Sequence, residues 1–221
     1  MRILLTFIFL LTFIVNTYSQ KSNFESREII KELDYELQII DSIEYTNVNA
    51  KLVEENKINL IPHSENDLVN EYPNVFKKKD KCYQIKRINK KPISICNNDS
   101  IDEIKMRSHY QFKGQYCDFG LIYISGYEWW GYISIDLIDG IGFYTMGFPL
   151  TLDCRTLFSH SNYYGEEELS FTNLESKKQL VIGFENWTTL EVKQLEKEYY
   201  LKLEPFGSRD NELKYIKIEI K

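Results

Sequence analysis

From Lys81 to the C-terminus, apolar and polar positions alternate in short runs rich in Tyr, Phe, Ile and Thr, separated by turn residues at fairly even spacing. That pattern predicts strands near 82–87, 92–96, 106–113, 117–126, 129–138, 141–147, 155–160, 167–173, 178–183, 188–193, 197–204 and 213–220. Strands that follow one another without intervening helices pair as hairpins, so the sheets should be antiparallel. No Pro/Ser-rich linker divides this half, which points to one β-domain over 81–221.

Before Lys81 the pattern changes. In "SNFESREIIKELDYELQIIDSIE", residues 22–44, Ile30, Leu33, Leu37 and Ile40 recur at three- and four-residue intervals. Ser22 and Glu25 have the spacing of a capping box. The stripe predicts an amphipathic N-terminal helix whose charged face looks outward and which covers an exposed sheet edge. Residues 45–80 are polar and irregular, with a helical turn expected around Asn49–Glu55 and a boundary near Lys77–Asp80. The resulting organisation is 1–19, 20–80 and 81–221.

The densest pattern is "GYEWWGYISIDLIDGIGFYTMGFPL", Gly126 to Leu150, with seven aromatic residues and no lysine or arginine. Asp139-Gly140 between apolar β-formers predicts a two-residue type I′ turn. Ile138 would then face Ile141, and Ile135 would face Tyr144. Alternation puts Tyr127, Trp129, Ile133, Ile135, Leu137, Tyr144 and Met146 on one face, read as the core. Glu128, Trp130, Tyr132, Ser134, Asp136, Phe143 and Thr145 fall on the other. Trp129 is therefore expected to be structural, and Trp130 with Tyr132 to offer a contact surface. Residues two apart on a strand lie about 6.5–7 Å apart, a spacing that suits stacking on flat faces such as sugar rings. Tyr163 and Tyr164 of "NYYGEEE" are the other candidates for that surface.

The first nineteen residues, "MRILLTFIFLLTFIVNTYS", read as a secretory signal peptide: a positive start, an apolar run from Ile3 to Val15, and a polar end at Ser19. Thirteen residues are short for a bilayer span, and no later run approaches that length. The chain is expected to be exported, periplasmic or extracellular, with no transmembrane segment once the signal is removed. Its formal net charge of −6 argues against nucleic acid as a partner. Four cysteines in an exported chain suggest two disulfides, with three possible connectivities. Cys82–Cys96 is favoured because a "NKKP" turn lets two strands face each other, which leaves Cys117–Cys154. The absence of CxxC and of a histidine near any cysteine weakens a zinc reading.

Catalytic signatures are missing. His63, His109 and His160 are scattered, and Ser159 or Ser161 beside His160 in sequence says nothing about triad geometry. There is no HExxH, P-loop, GxGxxG or EF-hand pattern. "EEE" at 166–168 reads as a solvated loop face, with a calcium site as its alternative. No catalytic residue, metal ligand or cofactor is expected.

From Tyr132 to Ser161 the order of features resembles a blade of a β-propeller of the TolB or WD40-like kind. "YISIDL" is followed by Asp139-Gly140, "GFYT", "GFP", the connection "LTLDCR" and "TLFSHS". Of the Ser-Pro-Asp-Gly common in such connections, only Asp153 is kept. As a whole the chain is similar to uncharacterised exported bacterial proteins of the Bacteroidota type. The resemblance implies fold flavour and no catalytic residue. A complete ring needs at least four blades of about 40 residues, more than 81–221 supplies. The expected architecture is thus a sandwich, a partly open barrel or an incomplete propeller-like stack.

The function expected from these features is non-catalytic binding or interaction at the cell envelope, with a glycan or an envelope protein as partner. Its alternatives are a secreted hydrolase acting on glycans or peptides, built around His109 and His160, and a structural envelope component without a ligand site.

Overall fold

The computed structural model describes residues 26–53, 58, 60–61, 64–98, 108–151, 153–207 and 212–221. The expected signal peptide and His63 lie outside them. The elements are β1 (Ser26–Lys31), β2 (Tyr35–Ile40), α1 (Ser42–Asn47), β3 (Lys51–Leu52), α2 (Glu65–Glu71), β4 (Phe76–Lys79), β5 (Cys82–Arg87), β6 (Lys90–Cys96), β7 (Ser108–Tyr116), β8 (Phe119–Gly126), β9 (Trp129–Asp136), β10 (Gly142–Thr145), β11 (Thr156–Tyr163), β12 (Glu166–Asn173), β13 (Lys178–Glu185), β14 (Trp187–Leu195), β15 (Glu198–Pro205) and β16 (Lys214–Ile220). Every strand expected from alternation is present, with shifted ends. Among the described residues all pairings are antiparallel, in four sheets of order β4-β5-β6, β10-β9-β8-β7, β1-β13-β12-β11 and β2-β16-β15-β14-β3.

The sheets stack face on face in that order. One apolar cluster, with Phe76, Ile85, Ile122 and Ile135, joins β4–β6 to β7–β10. A second, with Tyr116, Phe119, Leu121 and Leu157, joins β7–β10 to β11–β13. The third and largest, with Phe158, Leu169, Phe171, Ile182, Trp187, Leu201 and Ile216, joins β11–β13 to β14–β16. Each fully buried Phe, Leu or Ile there contributes about 1.5–3 kcal/mol. The architecture is a layered β-sandwich without a closed barrel.

Both disulfides follow from this layering. Cys82 and Cys96 face each other across the β5–β6 ladder. Cys117, in the β7–β8 turn, is bonded to Cys154, just before β11, with 5.9 Å between Cα atoms, and so ties two neighbouring sheets together.

The expected N-terminal helix is not formed over the described residues. β1 pairs with β13 and β2 with β16, so the segment covers sheet edges as strands. A stripe at three- and four-residue spacing does not prevent this. Leu33 and Ile40 are buried, whereas Ile29 and Ile30 are exposed, because an edge strand needs only backbone partners along one side. Among the described residues helix appears only at α1, capped by Asp41, and at α2, where Ser64 and Asp67 form a reciprocal capping box.

The β9–β10 hairpin also departs from expectation. Ile135 faces Gly142 and Ile133 faces Tyr144, a two-residue shift that keeps each residue on its expected face. The loop runs over residues 137–140, closed by Gly140 N–H donating to Asp136 O at 2.9 Å. Asp136 decides this: its Oδ1 accepts from Ile138 N and Asp139 N at 2.7 and 3.0 Å, an Asx-type turn that outcompetes the tighter bend. Gly140 is required, since at φ 73° any Cβ would lie 2.0 Å from Lys86 O.

Candidate functional site

Two hairpin tips from neighbouring sheets meet at one end of the stack. β11 and β12 are joined through Tyr164 (φ 51°) and Gly165 (φ 90°), with Asn162 Oδ1 accepting from Gly165 N at 3.0 Å. This tight turn throws the Tyr164 side chain outward, leaving it 82% exposed. Tyr163 precedes it and is held fast: its hydroxyl donates to Glu128 O at 3.1 Å, in the turn between β8 and β9. Its ring meets Trp130 at 5.4 Å and Tyr164 at 4.6 Å between centroids, both edge to face. Three of the four aromatic candidates thus form one row across two sheets.

Tyr132 is not part of the row. It packs between Tyr123 at 5.3 Å and Phe148 at 5.2 Å, and partial burial pushes its hydroxyl pKa up. Trp129 overturns its expectation more directly. It is 37% exposed, lying over Gly126, whose hypothetical Cβ would sit 2.1 Å from the indole. Tyr127 and Tyr144 of the expected core face are exposed too, while Ser134, Asp136, Phe143 and Thr145 of the opposite face are buried. The reason is that β7–β10 is covered on both sides. The β4–β6 cluster covers only the part of the odd-numbered face around Ile133, Ile135 and Leu137. Trp129 lies beyond that cover.

Phe206 was not visible as a candidate. It is 47% exposed and rests on Gly165, where a Cβ would come within 2.6 Å of its ring. Asn186 N–H donates to Gly165 O at 2.7 Å, and Phe206 N–H to Asn186 O at 2.9 Å, so the β13–β14 and β15 tips are stitched to the same turn. Only an aromatic residue in the turn-like "PFGS" hinted at it.

The "EEE" run is not a loop. It opens β12, so its side chains alternate: Glu167 is 1% exposed in the interior, where Oε1 lies 3.2 Å from His160 Nδ1, and Glu166 and Glu168 face the other way. These two line a cleft of about 70 Å³ beside Tyr163, with Arg27, Ile29, Met146 and Glu185. Burial pushes the Glu168 carboxyl above its ordinary 4.5, against the opposing pull of Arg27 and the Met146 N–H.

A serine–histidine site is not assembled. Ser159 and Ser161 flank His160 on one strand and so point to the opposite face. His109 lies exposed on the edge strand β7. Among the described residues no group of three or more His, Cys, Asp or Glu side chains is arranged to hold a metal ion. No helix among them is long and apolar enough to cross a membrane.

Compared with protein-family models, with curated proteins and with solved structures, the chain finds no match. The chemistry on offer at this end is that of a binding surface: flat π faces for stacking and carboxylates for pairing with cations or hydroxyls.

Proposed function

We propose that the protein is an exported β-domain that binds rather than catalyses, meeting its partner at the cell envelope through the row Trp130–Tyr163–Tyr164. One observation carries this reading. The row is fixed by one hydrogen bond and one ring contact that cross between two sheets and by the contact of Tyr163 with Tyr164, yet its outermost ring is 82% exposed. A ring so exposed adds little to folding, whereas rigid aromatic anchors dominate contact energies when a partner covers them. Two disulfides fit an oxidising compartment. The likeness to exported bacterial proteins belongs to the same proposal.

The test is capture of glycans and envelope proteins by the chain from Gln20 onward, comparing wild type with Tyr164→Ala and Trp130→Ala, with near-UV circular dichroism to monitor folding. Loss of capture by the folded Tyr164→Ala protein is expected. Equal capture by all three proteins would refute the reading.

A further inference from the structure

We infer that the two hairpin tips joined at Ile88 and Ile138 dock on an anionic phospholipid surface. This goes beyond the aromatic row and does not depend on it.

An acidic chain concentrates its positive charge in one place. Residues 77–91, "KKKDKCYQIKRINKK", hold eight basic side chains and one acid, although the formal net charge of the whole is −6. They build most of β4, all of β5 and the start of β6, so the charge lies on one three-stranded sheet. Lys86, Lys90 and Lys91 flank the β5–β6 tip and are exposed, and among the described residues none of the three has an ion-pair partner. Arg87 adds a fourth charge, and its Nε donates to Lys91 O at 2.7 Å, which closes the hairpin. Acids elsewhere on the molecule are screened beyond about 10 Å at 0.1 M salt, so local charge decides what approaches.

Lysines alone would suit any polyanion, but the tip they surround is apolar. Ile88, at the turn of the β5–β6 hairpin, is 57% exposed, and Ile138, in the β9–β10 loop, is 71% exposed. Ile88 N–H donates to Asp139 O at 2.9 Å, so the two tips are bonded to each other. The acids at this junction are neutralised within the fold: Lys177 Nζ lies 2.9 Å from Asp136 Oδ2 and also pairs with Asp139. Such tips are ordinarily built from Gly, Asn, Asp, Ser and Pro, and an isoleucine left in water adds nothing to the core.

Two aliphatic side chains beside unpaired lysines match an anionic bilayer. The lysines meet the headgroups while the isoleucines enter the acyl boundary. A soluble polyanion would have no use for the isoleucines. Ile138 follows the eight-residue β9 and Trp130 lies near its start, so the two are about 25 Å apart at about 3.3 Å per residue. Docking through the tips therefore leaves the aromatic row at the far end of the strand.

Flotation with lipid vesicles tests this on the chain from Gln20 onward. The protein should float with vesicles of equal parts phosphatidylcholine and phosphatidylglycerol, not with phosphatidylcholine alone, and added salt should weaken the association. Lys90→Gln with Lys91→Gln should weaken it about thirtyfold, the factor that two lost charges near the surface produce. Ile88→Ser with Ile138→Ser should weaken it about tenfold, since these side chains bury only in part. Lys51→Gln with Lys202→Gln, in the sheet at the other end of the stack, changes the net charge equally and should leave flotation unaltered. Near-UV circular dichroism confirms that each variant is folded.

No flotation, equal flotation with both vesicle types, or equal weakening by the Lys51 and Lys202 pair would each overturn the inference. So would flotation of the isoleucine variant at the wild-type level. Capture on dextran sulfate without flotation would assign the lysines to a soluble polyanion and overturn it as well.

Discussion

At the Tyr163–Glu166 end of β11–β13 and β14–β16 the surface is aromatic, with a small cleft; at the Thr156–Asn173 end of the same strands it is a broad charged groove of about 840 Å³, lined by Asp153, Arg155, Glu175, Glu196, Lys197 and Glu219 among others. The groove is larger, and two of its carboxylates, Glu198 and Glu219, already have counter-charges. Lys217 Nζ lies 2.5 Å from Glu198 Oε1, Tyr200 donates to Glu198 at 2.6 Å, and Lys221 Nζ lies 2.8 Å from Glu219. The carboxyls record the difference. Hydrogen bonds from Lys217 and Tyr200 hold Glu198 below the ordinary range, whereas burial holds Glu168 above it. At one end Glu198 is stabilised in its charged form by partners within the fold. The other carries a carboxylate that folding alone does not favour, beside rings that folding alone does not cover.

Perturbations of the two ends should therefore separate stability from binding. The largest stability effect lies near the groove, where Cys154 adjoins Asp153 and Arg155. Replacing Cys117 and Cys154 together by serine opens a link across a separation of 37 residues, which loop entropy values at about 4 kcal/mol. Guanidinium unfolding would measure it, and capture by the folded fraction should survive. Tyr164→Ala does the reverse, changing stability by less than about 0.5 kcal/mol while abolishing most capture.

Lys217→Gln removes an ion pair at the groove side and should cost less than about 1 kcal/mol. Glu198 has a lowered folded pKa, so the stability it contributes is present above the ordinary 4.5 and fades as the solution is acidified. The cost of Lys217→Gln should fade in the same window, as thermal unfolding from pH 7 to pH 3 would reveal.

Glu168→Gln has the opposite sign. Its folded pKa is raised, so wild-type stability is greater while the group is protonated and falls as pH rises through the folded value. The glutamine variant should be more stable at neutral pH by about 0.5 kcal/mol, given the group's partial exposure. That gain should vanish on acidification below the ordinary 4.5.

Strand positions and the Cys82–Cys96 pair were legible in the sequence because both rest on local alternation and short turns. The faces of β9 were legible as well: odd and even residues separate as counted, even though the turn is wider than Asp139-Gly140 suggested. What could not be read was which part of each face a neighbouring sheet would cover. Trp129 and Ser134 were misjudged for that reason, one lying beyond the β4–β6 cover and the other enclosed, with Tyr116 OH donating to its Oγ at 2.5 Å. Polar residues can line a buried interface when they satisfy each other. Gln179 Nε2 does so by donating to Tyr144 O and Ser170 Oγ at 3.0 and 2.9 Å.

The N-terminal segment misled for a related reason, since open edges on β13 and β16 supplied partners that local periodicity ignores. The cleft is less legible still. Its walls come from Arg27 and Ile29, Met146, Tyr163, Glu166 to Glu168 and Gly183 to Glu185, which only the pairing of β1 with β13 and the stacking of sheets bring together.

The most direct test of which end binds is amide hydrogen exchange on the chain from Gln20 onward, alone and loaded with captured envelope material. Slower exchange is expected at the tips around Glu128–Trp130 and Tyr163–Glu166, with no change around Leu195–Glu198. Protection confined to the groove end, with the aromatic tips exchanging as they do in the free protein, would contradict the account.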